Sequence, residues 1–342
     1  MSRLAAGLVE TVTGAVPGEQ LGTTLVHEHL FVGDPQLARD LPHPEWEEST
    51  AVDEAVDLLT RLAALGVDSI VDLTVPGLGR DVRLIQEVAR RAPVRVLAAT
   101  GWYTMDALPP FFHLNGPGRT VDGPDPLVEL FRRDVTDGIA GTGVRAAIIK
   151  VASGARGLTE DVARVFAAAA TVHRATGVPI STHSDPATRS GIEQQRLLRD
   201  LGVSMDSVVI GHAGDCPDGA RLRRLAQAGS FLGFDRFGMA HTGDDEARLR
   251  RLLDLLETGY DRQLLLSQDA AVFSRVTPPS WRQAHAPSWR MDHLHTEILP
   301  RLRRLGVDSR LEHQLLVENP RRLLAGRRDS SDNLAEREGR FP

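Results

Sequence analysis

Lysine is almost missing from this 342-residue chain: of its 40 basic residues, 39 are arginine and one, Lys150, is lysine. Cysteine is as scarce. The single Cys216 cannot form an internal disulfide, so nothing calls for an oxidising compartment, and the cytoplasm is the expected setting. Long apolar runs are absent too. None approaches the roughly 18–20 residues needed to cross a bilayer, and the run Leu4–Val9 is ended by Glu10, too early for a signal-peptide core. Positive charge is not in excess, with 46 acidic residues against 40 basic ones and a net charge of −6. That excludes the electrostatic footprint of a nucleic-acid binder. No internal repeat at a fixed period of roughly 20–50 residues is visible. What remains, 42% hydrophobic and 25% charged residues, is the composition of an ordinary globular protein.

A coding bias toward arginine accounts for the 39 without any functional reading. It makes the exception informative, because Lys150 then marks a position where arginine chemistry fails.

Short β-branched runs alternate with helical periodicity from residue 23 to about 325. The strands expected are Thr24–Phe31, Ser69–Val75, Val94–Thr100, Ala146–Val151, Pro179–His183, Ser207–His212, Ser230–Asp235 and Gln263–Asp269. Helices are expected between them, among them Val52–Leu65, Val82–Arg91, Pro126–Gly138 and Glu160–Ala175, with Met291–Leu305 after the last strand. Gly66, Gly202 and Gly306 each follow the last apolar helical position, where a left-handed C-cap belongs. Eight strands alternating with helices predict a closed parallel sheet, an α/β (β/α)8 TIM barrel. A doubly wound open sheet is the runner-up, but no Gly-x-Gly-x-x-Gly turn follows the first strand. The barrel is expected over residues 1–325, with a short polar N-terminal segment and a C-terminal helix, and residues 326–342 read as a charged, flexible tail. Two insertions, Asp106–Asp125 and Ala270–Trp289, follow strand C-terminal ends, where barrels build their active sites.

His27 and His29 lie two apart on the first strand and therefore share a face. A His-x-His pair alone is more often structural, but at the mouth of a barrel it suits a divalent transition metal. His293 and His295 have the same spacing on a predicted helix, which points them apart. His183, His212 and Asp269 each end an apolar strand run. Singly, each reads best as a hydrogen-bonded rim residue; four histidines and an aspartate at matching strand ends read as a metal site.

Lys150 ends strand four. One reading is a buried lysine paired with a carboxylate. Another is an amine that has captured carbon dioxide to form a carbamate bridging two metals, which requires a neutral amine. Lysine, with a reference pKa of about 10.4, can be lowered by burial; arginine, above about 12, stays charged. Schiff-base chemistry also uses strand lysines, but it has no need of the four histidines.

The motifs Leu25-Val-His-Glu-His29, Asp72-Leu-Thr-Val-Pro-Gly-Leu-Gly-Arg80, Ile149-Lys150, Ile180-Ser-Thr-His183, Gly211-His-Ala-Gly-Asp215, Gly233-Phe-Asp-Arg-Phe-Gly238, Ser267-Gln-Asp269 and Glu318-Asn-Pro-Arg-Arg322 resemble those of the phosphotriesterase family of the amidohydrolase superfamily. The resemblance covers Thr24 to about Leu324. It implies two divalent ions, zinc before cobalt, manganese or iron. His27, His29, Lys150 and Asp269 would hold one ion, and carboxylated Lys150, His183 and His212 the other. Gly101-Trp-Tyr103 and Asp235-Arg236-Phe-Gly238 are similar to segments of the phosphotriesterase-like lactonases. The implied activity is metal-assisted hydrolysis of small-molecule lactones, esters or phosphotriesters. A hydroxide bridging the ions would be the nucleophile, Asp269 its proton acceptor, and Tyr103 and Arg236 catalytic partners at the substrate. A homodimer without nucleic-acid or membrane partners is also implied. Gln268 stands where many lactonases have histidine, Met239–Asp244 is short, and Phe273, Trp281 and Trp289 offer an apolar wall for a substituent. These departures leave a phosphotriesterase or carboxylesterase with another substrate as the alternative. A non-catalytic binding relative would be expected to lack metal ligands, and none is missing.

Overall fold

The computed structural model describes residues 7–326; the predicted tail beyond Gly326 lies outside the described residues. The described residues begin with an antiparallel hairpin, β1 (Leu8–Thr11) and β2 (Gly14–Pro17), where sequence suggested only a polar segment. Val9 of that hairpin is buried and joins Leu323 and Leu324 against the barrel interior. Apolar residues near both ends of the described span thus join the barrel-interior core.

Parallel strands follow: β3 (Thr24–Val32), β4 (Ser69–Asp72), β5 (Arg95–Trp102), β6 (Ile148–Ala152), β7 (Ile180–His183), β8 (Val208–Gly211), β9 (Phe231–Phe234), β10 (Leu264–Leu266) and β11 (Ala271–Ser274). They pair in the order β10-β9-β8-β7-β6-β5-β4-β3-β11. The eighth barrel strand is therefore broken in two. β10 pairs with β9, whereas β11 pairs with β3, placing Ala271 opposite His29 and Ser274 opposite Val32. Residues 267–270 between them leave the ladder, and the expected strand Gln263–Asp269 ends early at Leu266 for that reason.

Period-two alternation sorts the strand side chains into two cores. Val71, Leu97, Ile148, Val209, Phe231 and Leu265 fill the barrel. Their neighbours Ile70, Val96, Ile149, Val208, Leu232 and Leu264 pack outward against helices such as Glu48–Ala64, Val82–Arg91 and Glu160–Thr176. The helices begin on acidic caps: Asp81, Asp125, Asp218, Asp244 and Asp308 each accept a backbone N–H of the first turn. Gly66, Gly202 and Gly306 adopt φ of 89°, 81° and 93°, the left-handed conformation expected of them.

The first barrel strand has a fault in its register. Its pairing with β4 shifts between Leu25 and Glu28. Val26 packs in the barrel interior, and the bulge lets His27 and His29 face inward as well, where strict alternation from Val26 would turn His27 away.

Candidate metal centre and active site

Strand ends bring the predicted residues to one cavity of about 450 Å³ at the barrel mouth. His27, His29, Tyr103, Lys150, His183, Arg236 and Asp269 line it. His212 lies just beneath, its Nε2 2.8 Å from His183 Nδ1. His27 Nε2 and His29 Nε2 stand 3.3 and 3.1 Å from Asp269 Oδ1, and Lys150 Nζ is 3.1 Å from His27 Nε2. Ligand atoms of His27, His212 and Asp269 fall within 4.8 Å of one another.

A residue without an assigned role in the sequence organises this cluster. Asp235, completely buried at the end of β9, takes His27 Nδ1 at 2.7 Å on one oxygen and His212 Nδ1 at 3.0 Å on the other. Burial favours its neutral form, but the two imidazoles outweigh burial and hold it well below the usual carboxylate range. An ionised Asp235 accepts, so both Nδ1 atoms donate and both Nε2 atoms keep a lone pair, that of His27 beside Lys150 and that of His212 beside His183. It also accepts the backbone N–H of His212, whose φ of 60° is left-handed. Thr74 plays the matching part for His29, with its Oγ1 2.8 Å from Nδ1. The signal for Asp235 was in the sequence: a carboxylate closing the apolar run Phe231–Phe234, as Asp269 follows Leu264–Leu266.

The donor set fits divalent ions. Burial and Lys150 lower His27 to a pKa of about 4, and burial followed by His212 takes His183 well below its ordinary value. These imidazoles are therefore neutral lone-pair donors. Asp269 remains ionised: burial opposes this, but His27, His29 and His212 prevail. A neutral imidazole Nε2 facing a carboxylate oxygen at 3.3 Å puts two acceptors together, an arrangement that a cation between them relieves. Burial brings the Lys150 amine down to about 8 against the pull of Asp269 and Asp235, within reach of the neutral form that carbamate formation needs.

Tyr103 and Arg236 stand on either side. The Tyr103 hydroxyl is 3.4 Å from His183 Nδ1, and burial keeps the phenol protonated, a donor. Arg236 Nε and Nη1 lie 3.5 and 3.4 Å from Asp269 and Asp215 carboxylate oxygens. Behind it, fully buried Arg248 bridges Asp215, Asp245 and the carbonyl of Met239, holding down the short segment after β9. Gln268 faces away from the cluster, its amide donating to the carbonyl of Met291. His293 sits outside the cluster, its Nε2 2.8 Å from Asp245.

Of the three aromatic residues expected to wall the cavity, Trp289 lines it and anchors its indole N–H on the carbonyls of Gln268 and Asp269. Trp281 meets His241 at the rim, with ring centres 5.4 Å apart. Phe273 does not face the cavity. It is buried against Trp46 on the far side of β11, beside a second hollow of about 190 Å³. Val32, Leu78, Met105, Met239, Ala271 and Val276 supply the rest of the apolar wall.

A structure of the phosphotriesterase from Mycobacterium tuberculosis is similar to this one, with a TM-score of 0.90 and 39% identity over 93% of this chain and 98% of that one. A PTE-like lactonase from Deinococcus radiodurans, solved as a multiply substituted mutant, has a TM-score of 0.82 and 34% identity, covering 92% and 99% of the two chains. An aryldialkylphosphatase of Saccharolobus solfataricus is 33% identical over 313 residues, 91% of this chain and 97% of its own. The sequence profile described as the Phosphotriesterase family matches residues 7–324. With that match spanning nearly all of a (β/α)8 barrel, the chain belongs to the phosphotriesterase family.

Proposed function

We propose that the chain is a binuclear metal-dependent hydrolase that opens lactone rings and hydrolyses phosphotriesters as a side activity. The observation that carries this reading is the Asp235-oriented cluster, in which neutral imidazoles, an ionised carboxylate and a low-pKa lysine converge on one cavity. His27, His29, Lys150 and Asp269 would hold one ion; Lys150 as its carbamate, with His183 and His212, would hold the other. Two such ions, zinc the first choice, would supply Lewis acidity and activate water as the nucleophile at neutral pH.

The protein's own groups do the rest. Asp269, ionised and with its Oδ1 3.1 Å from His29 Nε2, accepts the nucleophile's proton. Tyr103, kept protonated, donates to the ring or leaving oxygen. Arg236 is already committed to Asp269 and Asp215, so it orients Asp269 and presents its remaining N–H groups to the substrate. Trp289, Met105, Met239 and Val276 exclude water around an apolar substituent. A carboxylesterase or phosphotriesterase with another natural substrate is the alternative. The likeness to a PTE-like lactonase and the placement of Tyr103 and Arg236 favour the lactone. A homodimer in the cytoplasm belongs to the same proposal, and sedimentation of the purified chain checks the dimer.

The test is metal analysis joined to kinetics on γ- and δ-lactones, aryl esters and phosphotriesters. Two ions per chain and the highest kcat/KM on a lactone are expected. A higher value on an aryl ester or a phosphotriester would replace the lactone reading with the alternative.

A further inference from the structure

Asp269 is one of three non-glycine residues with positive φ among those described, at 51°. Aspartate tolerates this conformation better than most residues but does not choose it unaided. The surroundings explain it. Glu28, between the two histidines of β3, is fully buried and turned away from the cavity cluster. One of its oxygens accepts the backbone N–H of Gln268 at 2.9 Å, and the other accepts that of Ala270 at 3.0 Å. The backbone N–H groups of the two residues on either side of Asp269 are thus gripped by one buried side chain. Ser267 completes the grip: its hydroxyl donates to Glu28 at 2.9 Å and accepts the His27 N–H at 3.0 Å. The N–H of Asp269 donates to the His27 carbonyl at 3.0 Å, and that of His29 to the Ala270 carbonyl at 2.9 Å.

This is the stretch where the eighth strand leaves the ladder. A regular strand here would alternate its side chains and offer its N–H groups to main-chain carbonyls of β3. Instead a side chain serves as the acceptor twice, which lets residues 267–270 kink without leaving N–H groups unpaired in the interior.

We infer that Glu28 is the positioning residue for Asp269, closing the barrel between its first and eighth strands and fixing the left-handed backbone that aims the Asp269 carboxylate at the metal pair. The inference rests on the reading of Asp269 as metal ligand and proton acceptor. Asp235 offers a parallel at His212, where a buried carboxylate accepts the N–H of the left-handed residue itself rather than those of its neighbours.

Glu28→Gln keeps the size of the side chain but turns an N–H toward one of the two peptide N–H groups. The expected result is a folded variant that binds its more weakly held ion at least tenfold less tightly in chelator competition, in line with the 10- to 100-fold cost of losing a group that orients a ligand. Its kcat should fall while KM holds. The same substitution in an Asp269→Asn background should change metal affinity by less than about twofold, because the residue it positions has already been altered. Wild-type affinity in Glu28→Gln, or an equal loss in both backgrounds, overturns the inference. Should the variant fail to fold, amide hydrogen exchange of the unaltered protein decides. Gln268 and Ala270 should exchange only through global opening, and fast exchange at both would overturn the clamp. A wild-type chain that binds no ions would instead defeat the functional reading, with the exchange data still judging the clamp.

Discussion

Lys150 is the residue whose identity is least negotiable. It is buried, its Nζ touches His27 Nε2 at 3.1 Å, and its amine is lowered to about 8 by burial. A neutral amine can attack carbon dioxide and lose a proton to become a carbamate; a guanidinium cannot, since it stays protonated in proteins. Lys150→Arg should therefore keep the charge and lose both ions and activity, as read by metal content and lactone hydrolysis. An active, two-ion variant would remove the carbamate from the proposal. Asp235 is a subtler case. Asp235→Asn replaces one acceptor oxygen with an N–H, so that either His27 or His212 must switch tautomer and turn its lone pair away from the cavity. Metal affinity should fall about 10- to 100-fold with little change in fold, measured by chelator competition and circular dichroism. His27, His29, Lys150, His183, His212 and Asp269 were legible in the sequence because each ends or interrupts an apolar strand run. Asp235 followed the same rule but was hidden beside Arg236, whose charge drew the functional reading.

At the scale of elements, packing between strands decides where Lys150 can sit. Gly101 of β5 lies opposite Lys150 of β6 with φ of 135°, and a Cβ there would stand 1.8 Å from the Lys150 carbonyl oxygen. Only glycine permits that approach. Gly101→Ala should cost about 2 kcal/mol or more and shift Lys150, lowering metal content together with the urea midpoint. A variant of unchanged stability and full metal content would show that the two strands can slip apart freely. Seven of the eight strand cores and the helices Val82–Arg91 and Glu160–Thr176 were readable from alternation, caps and glycines, because those signals are local. The bulge in β3 and the broken eighth strand were not. Both depend on what the neighbouring strand offers: a shifted ladder at Leu25–Glu28 and a carboxylate acceptor at Glu28.

For the molecule as a whole, the buried site couples metal loading to stability. His27 is lowered to about 4, and His183 and His212 are also lowered. Unfolded histidines titrate near 6.5, so below that pH the unfolded chain binds more protons than the folded one. Stability from these groups is present above about 6.5 and is lost as pH falls toward about 4. Lys150 works in the same direction at higher pH, its burial penalty easing as pH rises from about 8 toward about 10.5. The metal-free chain should thus melt at falling temperatures between pH 6.5 and 4, while added zinc should raise Tm and move the acid limb lower. A flat Tm across that range would contradict neutral burial of these imidazoles. No helix among the described residues is long and apolar enough to cross a membrane. The sequence by itself determined the alternating strands and helices, their caps, the family resemblance and the residues that can carry metal chemistry, since side-chain identity and local periodicity are properties of the chain. The tertiary structure alone decided how those residues are aimed. The inward turn of His27, the tautomers set by Asp235, and the left-handed backbones of His212 and Asp269 each depend on hydrogen bonds to residues distant in sequence, which come within reach only when the barrel closes.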